Sequence, residues 1–250
     1  MGKALKRIVK IGMVRSRYIH ILLAISIFTL SPIECEKIRY SVESSILGKV
    51  AHIDFDSSRD KRGYRVVLEA KTEGVAALMT RNRRDRYICE GNISGAEYIS
   101  RSFVVRRKSD TKKEIDEYIV DRSRLELSKR RTRYKHSSPR TKSKLLDYYT
   151  DQDLCTIYAN VLPLAIEESA GKVFSVYSAG VEKAGGKVEI YRDSKNAGRD
   201  GEMTFIVKIP GEILGKKGRS IRLVTDRNLT LLKAELSPLP IVGTITVKRH

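Results

Sequence analysis

The sequence predicts a mainly β fold, in which a curved antiparallel sheet or half-barrel surrounds one central helix at about residues 151–162. Two observations predict it. Short runs of alternating apolar and polar residues recur along the chain, and turns rich in glycine or charge separate them. Only one segment carries a long apolar stripe at helical spacing, which argues against the regular strand–helix alternation of an α/β fold.

The chain begins with a basic leader followed by an apolar run. Residues 19–30 read IHILLAISIFTL, and Lys and Arg residues precede them, as is typical of an export signal. The run is shorter than the roughly 20 apolar residues that a membrane-spanning helix needs. We therefore expect residues 1–35 to be a signal peptide, with transient membrane contact, and the protein to be exported to the bacterial periplasm. The alternative is an uncleaved N-terminal anchor in the inner membrane.

Residues 36–250 are expected to form a single antiparallel β domain. The segments 37–46 and 50–56 alternate and flank a turn containing Gly48, which predicts a hairpin. A third strand is predicted at 63–72, with the side chains of Tyr64, Val66, Leu68 and Ala70 directed inward. Residues 73–80 fit a short helix or a buried strand equally well. Further strands are predicted at 85–93, 96–109, 112–121, 123–135, 172–179, 186–193, 202–210, 219–226, 229–236 and 241–249.

The central helix is predicted from an apolar stripe that precedes Pro163. The stripe has the spacing i, i+3, i+4, i+7 and i+8 and consists of Leu154, Ile157, Tyr158, Val161 and Leu162. Thr150 or Asp151 can cap the amino-terminal end, and Pro163 is expected to end the helix.

Positive charge dominates the composition. The chain has a formal net charge of +19, and residues 101–144 alone hold 16 Lys or Arg against 6 Asp or Glu. Residues 128–144 lack an apolar period, so we expect a basic, projecting and mobile loop there. Its candidate anion-contacting residues are Lys129, Arg130, Arg131, Arg133 and Lys135.

Such a surface suits a lipid or another anionic component of the envelope, and the simpler alternative is a solvated surface that keeps the protein soluble. No nucleic-acid partner is expected of an exported protein. The oligomeric state is left open.

Cleavage after Cys35 would leave two cysteines, Cys89 and Cys155. In an oxidising compartment this pair can form a disulfide. The alternative is two buried thiols that pack as small hydrophobic groups.

Residue patterns for catalysis are missing from the sequence. The four histidines include no pair at metal-ligand spacing, and no nucleophile motif or phosphate-binding loop is present. His52, Asp54 and Asp56 share a strand face, but alternation on a solvent-exposed face explains them more simply. We therefore expect no catalytic residues, no metal site, no cofactor and no enzymatic activity.

Several segments together resemble a known family. They are IRYSVESSILGKVAHIDF, DQDLCTIYANVLPL and the closing RSIRLVTDRNLTLLKAELSPLPIVGTITVKR. The arrangement resembles a family of exported bacterial proteins catalogued as domain of unknown function 3108. More loosely it resembles lipoprotein carriers, whose half-barrels wrap over helices that line an apolar cavity. The resemblance implies that the central helix lies in the concave face.

Two functions follow as hypotheses. The first is an exported, non-enzymatic cell-envelope protein that binds an apolar or lipid-like ligand. The second is a structural or assembly factor of the envelope that acts through protein–protein contacts.

Overall fold

A computed structural model of the chain describes residues 35–135, 138–182, 185–193, 201–209, 219–239 and 242–249. The predicted leader lies outside these residues, except for Cys35 at its end. Among the described residues, neither helix is long and apolar enough to cross a membrane.

Fourteen strands and two helices occupy the described residues. In chain order they are β1 (Cys35–Ser44), β2 (Gly48–Arg59), β3 (Gly63–Thr72), α1 (Gly74–Thr80), β4 (Arg84–Ser94), β5 (Glu97–Ser109), β6 (Lys112–Asp121), β7 (Glu126–Lys135), β8 (Ser138–Leu145), α2 (Leu154–Glu167), β9 (Phe174–Tyr177), β10 (Lys187–Arg192), β11 (Met203–Ile209), β12 (Arg219–Thr225), β13 (Leu231–Leu239) and β14 (Gly243–Arg249).

All the strands belong to one antiparallel sheet in the order β8-β7-β6-β5-β4-β3-β2-β1-β14-β13-β12-β11-β10-β9. Neighbours in the sheet are neighbours in sequence except at β1 and β14, which pair with each other. The sheet is open, and β8 and β9 form its two edges. The predicted mainly β, antiparallel fold is confirmed.

Period-two alternation sets the inner face of the sheet. In β3 the four predicted inward residues are all buried, and their neighbours Arg65 and Lys71 are exposed. In β1 the side chains of Ile38, Tyr40 and Val42 are likewise buried on one face. In these strands one side is apolar because that side covers the core, and the other side faces solvent.

The sheet curls around α2. This helix contacts β5 on one side and β9 and β10 on the other, although these strands stand far apart in the sheet order. Nine residues of α2 are buried, including the whole predicted stripe. One helix can reach both parts of the sheet only if the sheet is strongly curved, so α2 occupies the concave face.

Polar contacts fix α2 on β5. The side-chain amide of Asn160 accepts a hydrogen bond from the backbone N–H of Tyr98 at 2.9 Å and donates one to the carbonyl of Tyr98 at 2.7 Å. Asp153 caps the helix by accepting from the backbone N–H groups of Cys155 and Thr156. These contacts set the position of the helix along the strand.

The predicted bounds of the central helix need correction. The helix runs from 154 to 167 rather than from 151 to 162, and its cap is Asp153 rather than Thr150 or Asp151. Pro163 lies inside the helix instead of ending it. The turn beyond the proline is retained because Ala165 is buried and Ile166 packs against the core.

The prediction of a projecting, mobile basic loop at 128–144 is wrong. Described residues in this range belong to β7 and β8, which pair from Ser128↔Leu145 to Lys135↔Ser138. The sequence shows no apolar period because charges occupy the alternating positions. Acidic residues of the neighbouring β6 offset the repulsion in β7, so a strand forms without an apolar face. Residues 73–80, whose sequence fits a helix or a strand equally well, contain helix α1.

Candidate functional site

The most buried of the predicted anion-contacting residues is Lys129. Its side chain is only 4% exposed and lies 3.2 Å from Asp116, which is itself 1% exposed. It also forms an ion pair with Glu182 and donates a hydrogen bond to the Tyr118 hydroxyl at 2.7 Å. The Tyr118 hydroxyl donates in turn to Glu182 at 2.7 Å. Lys129 is therefore saturated by internal partners and is not a contact for an external anion.

The neighbouring arginines of β7 are also paired with β6. Arg131 donates to both carboxylate oxygens of Asp116, at 2.5 and 2.8 Å. Arg133 donates to Glu114 at 2.7 Å, and Arg130 donates to Glu117 at 2.8 Å on the opposite face. The prediction that these residues contact external anions is therefore not supported for β7, because each described cation has an acidic partner. The side chain of Lys135 lies outside the described part of the structure.

Electrostatics keep this buried network ionised. Burial alone would raise the pKa of Asp116, but the hydrogen bond from Arg131 and the charges of Arg107 and Lys129 outweigh it. The pKa of Asp116 is therefore well below its usual range. Burial and Lys129 oppose each other in the same way at Glu182, whose pKa is lowered. A network with every charge paired has no poised acid or base, so its role is to join the segment around Glu182 to β6 and β7.

A second buried group surrounds the amino-terminal end of α2. Cys89 of β4 and Cys155 of α2 form a disulfide, with their Cα atoms 6.4 Å apart. The predicted pairing of these two cysteines agrees with this geometry. The fully buried Asp153 lies beside them and accepts a hydrogen bond from the Ser100 hydroxyl at 2.7 Å. Burial raises the pKa of Asp153, although its hydrogen bonds oppose that shift.

Cys89, Asp153 and Cys155 form the one group in the described residues whose ligand atoms lie close enough to hold a metal ion. Sequence spacing gave no signal for it, because Cys89 and Cys155 are 66 residues apart. While the disulfide is formed, its sulfurs are not thiolates and cannot act as strong metal ligands. We therefore regard this group as structural.

The polar residues of β2 lie on the outer face, as predicted. His52 pairs with Glu73 at 2.7 Å, and Asp54 pairs with Arg39 at 2.6 Å. Asp56 lies 3.7 Å from Lys37. These groups are held by hydrogen bonds and ion pairs to neighbours on the outer face of the sheet.

An exposed apolar surface was missed by the sequence reasoning. Helix α1 presents Val75, Leu78 and Met79 to solvent, and the Leu78 side chain is 80% exposed. Ile46, in the turn between β1 and β2, is 63% exposed. The i, i+3, i+4 spacing of the three helical residues was a signal for this surface. We call these four residues the apolar tip.

The apolar tip lies at one end of the sheet together with several cations. The backbone of Glu73 joins the start of α1 to Val50 of β2, next to the turn that holds Ile46. On the other side, Arg81 bonds to Thr111 at 3.1 Å in the β5–β6 turn. Exposed basic residues at this end are Lys49, Lys71, Arg81, Arg84, Lys108, Lys112 and Lys113. We call this set the basic rim.

Comparisons with known proteins add little beyond the fold. No family model matches this chain. No curated protein matches it either. The chain is similar to a solved structure described as a beta-barrel-like protein of domain of unknown function DUF1849 from Brucella abortus, with a TM-score of 0.49 and 10% sequence identity. The similarity covers 86% of this chain and 94% of that chain. A likeness at this level says nothing about function.

Proposed function

We propose that this protein is a non-enzymatic component of the bacterial cell envelope that binds lipid-like groups at the surface of an anionic membrane. The observation that carries the proposal is the apolar tip, which projects from the sheet inside the basic rim. An exposed apolar patch bordered by charge is typical of a surface that meets another phase or partner. The basic leader and apolar run within residues 1–35 favour an envelope location.

We place the membrane contact at the apolar tip and the basic rim rather than at the concave face of the sheet. A lipid carrier of the half-barrel type would hold its ligand between sheet and helix. Here α2 covers the concave face with nine buried residues, among them Leu162, which has no exposed surface. The apolar tip, in contrast, already faces outward and needs no rearrangement to meet lipid.

The apolar tip and the basic rim both favour an anionic bilayer. Burial of an exposed Leu or Met side chain contributes about 1.5–3 kcal/mol. Each Lys or Arg near an anionic membrane surface contributes about 1 kcal/mol. Part of the rim charge is offset by acidic neighbours, since Lys49 pairs with Glu73 and Arg84 pairs with Glu69. The two contributions together suffice for reversible membrane binding, as two weak anchoring signals do.

Sedimentation with vesicles tests this proposal. The protein is isolated from cells with its native amino terminus and mixed with vesicles of phosphatidylglycerol and phosphatidylcholine. We expect Leu78→Ser/Met79→Ser to weaken binding by roughly a hundredfold or more, since two apolar anchors are lost and each 1.4 kcal/mol corresponds to a factor of ten. Raised salt should weaken binding of the unaltered protein.

The matched control is Val173→Ser/Leu125→Ser. These residues are 53% and 65% exposed and lie outside the apolar tip. The control variant should bind vesicles as the unaltered protein does. Equal binding by the Leu78/Met79 variant, or equal binding to pure phosphatidylcholine vesicles, would contradict the proposal.

A second function, as a structural or assembly factor of the envelope, is favoured by a different observation. The open sheet ends in β8, and all eight residues of this strand are exposed. An uncovered edge strand offers unpaired backbone groups to another chain. Affinity purification from the envelope fraction should recover a defined partner, and deletion of the β8 charges should remove it.

A further inference from the structure

An unusual charge arrangement joins β7 to β8. Three pairs of directly opposite residues carry like charge, namely Lys129↔Lys144, Arg131↔Lys142 and Arg133↔Arg140. Directly opposite residues in an antiparallel pair place their side chains on the same face, and like charges there are destabilising. Six cations thus share one face of a two-stranded ribbon.

The two strands differ in how this charge is compensated. The β7 member of each pair contacts an acidic residue of β6 or Glu182, as described above. The β8 members Arg140, Lys142 and Lys144 form no ion pair with any acidic group in the described part of the chain, and all three are exposed. The acidic row of β6 therefore compensates β7, and the next row of cations has no acidic neighbour.

The position of β8 offers a place for such a neighbour. β8 is the terminal strand of the sheet, so one of its two sides pairs with β7 and the other is uncovered. Lys residues and Pro139 on an edge strand usually prevent association with other strands. Here the cations repel a second copy of β8 and neutral strands gain nothing from them, whereas an acidic strand is attracted.

We propose that the edge of β8 binds an extended segment of a partner protein that carries Asp or Glu at every second residue. A strand rises about 3.3 Å per residue, so alternate side chains are spaced by about 6.6 Å in both β8 and the added strand. Each carboxylate would then lie opposite one cation of β8. The partner strand would repeat, one strand further out, the pairing that β6 makes with β7.

The cation face is less suited to single-stranded nucleic acid. Binding of that kind combines a basic groove with aromatic rings on which bases stack. Tyr134, the aromatic residue of β7, belongs to the opposite face because it alternates with Arg133 and lies under the ammonium group of Lys113. The cation face therefore supplies charge without a stacking surface.

This site would serve the second of the two functions proposed above, but it does not depend on the apolar tip. Vesicle binding tests the tip and peptide binding tests β8, so either result can fail while the other stands.

Fluorescence anisotropy with two labelled peptides tests the site. One peptide alternates Glu and Thr over ten residues, and the other has the same composition with all its Glu residues in one block. We expect the alternating peptide to bind at least about tenfold more tightly, because only it can match the cation row while extended. The variant Arg140→Ser/Lys142→Ser/Lys144→Ser should lose about tenfold or more of that affinity.

The control variant removes equal charge elsewhere. Lys61→Ser/Arg62→Ser/Arg65→Ser takes three exposed cations from the β2–β3 region, outside the basic rim, and it should bind the alternating peptide within about threefold of the unaltered protein. The β8 residues are exposed and face like charges, so their variant should keep its circular dichroism spectrum and should melt at or above the temperature of the unaltered protein. Backbone amides of β8 should also exchange hydrogen more slowly when the alternating peptide is bound.

Equal affinity for the two peptides would overturn the proposal, because charge alone would then explain binding. An unaltered affinity in the β8 variant would overturn it as well. Tighter binding of single-stranded DNA than of the alternating peptide would assign the ribbon to a different class of partner.

Discussion

At the scale of single residues, the structure changes the meaning of the basic stretch in β7. Lys129 looks like a surface cation in the sequence, yet it is buried with Asp116 and Glu182. A buried charge is tolerated only when partners and hydrogen bonds compensate for its lost hydration. Arg130, the next residue, points to the opposite face and stays half exposed. Alternation along one strand thus separates a structural cation from a solvated one.

Substitution of these two neighbours should therefore have very different effects. Lys129→Met leaves Glu182 and Asp116 without their shared cation, and we expect the free energy of unfolding to fall by about 3–5 kcal/mol. Arg130→Met removes only an exposed pair with Glu117, so its cost should stay below about 1 kcal/mol. Urea denaturation of both variants measures the difference. Similar losses in the two would contradict the assignment of Lys129 to the core.

The same network predicts acid sensitivity. The pKa values of Asp116 and Glu182 are lowered in the folded state, so both groups stay ionised where the unfolded chain begins to bind protons. Their contribution to stability is complete above the unfolded values of about 4 and is lost as pH falls through the folded values. The urea midpoint should drop as the pH falls from about 5 to about 3, where the unfolded chain binds protons that the folded network still excludes. Asp116→Asn should be less stable at pH 6 and should show a shallower pH dependence.

At the scale of elements, α2 is held by several constraints of different kinds. Asp153 caps it, Asn160 fixes it to the backbone of β5, and Cys155 links it to β4. These constraints help to explain why the helix continues past Pro163, although a proline inside a helix costs about 3 kcal/mol. Packing of the last turn on the core compensates for the missing hydrogen bond.

The disulfide should contribute measurably to stability. It closes a segment with a sequence separation of 66 residues, and in the chain-entropy model a loop of this size is worth about 4 kcal/mol. We expect Cys89→Ala/Cys155→Ala to lower the free energy of unfolding by an amount of that order. Reductant should destabilise the unaltered protein in a thermal melt. It should leave the double variant unchanged, and an effect of reductant there would assign the loss to another cysteine.

At the scale of the whole molecule, curvature of the sheet decides which surfaces remain available. The sheet wraps α2, and the concave face is used for the core. Among the residues that the structure describes, two surfaces stay uncovered. The apolar tip and the basic rim lie at one end of the strands, and the charged edge of β8 lies at one side of the sheet. The proposed membrane contact and the proposed acidic partner therefore use separate parts of the molecule.

The sequence alone determined the fold class, because period-two alternation in β1 to β3 and the stripe from Leu154 to Leu162 reflect local geometry and burial. It also limited the disulfide to Cys89 and Cys155 once Cys35 was assigned to the leader. Those features depend on the order of residues along the chain, so the amino-acid sequence is enough to predict them.

Only the tertiary structure decided what the charges do. In the sequence, residues 128–144 resemble a disordered basic loop. The acidic residues that compensate Lys129, Arg131 and Arg133 are distant in sequence, because they are Glu182 and residues of β6. Those contacts depend on strand register and on the curling of the sheet, which bring together residues up to 53 positions apart. Coulomb energy depends on distance in space. Within the described part of the chain, the division between the paired cations of β7 and the β8 cations without an ion pair therefore appears only when the strands are placed side by side.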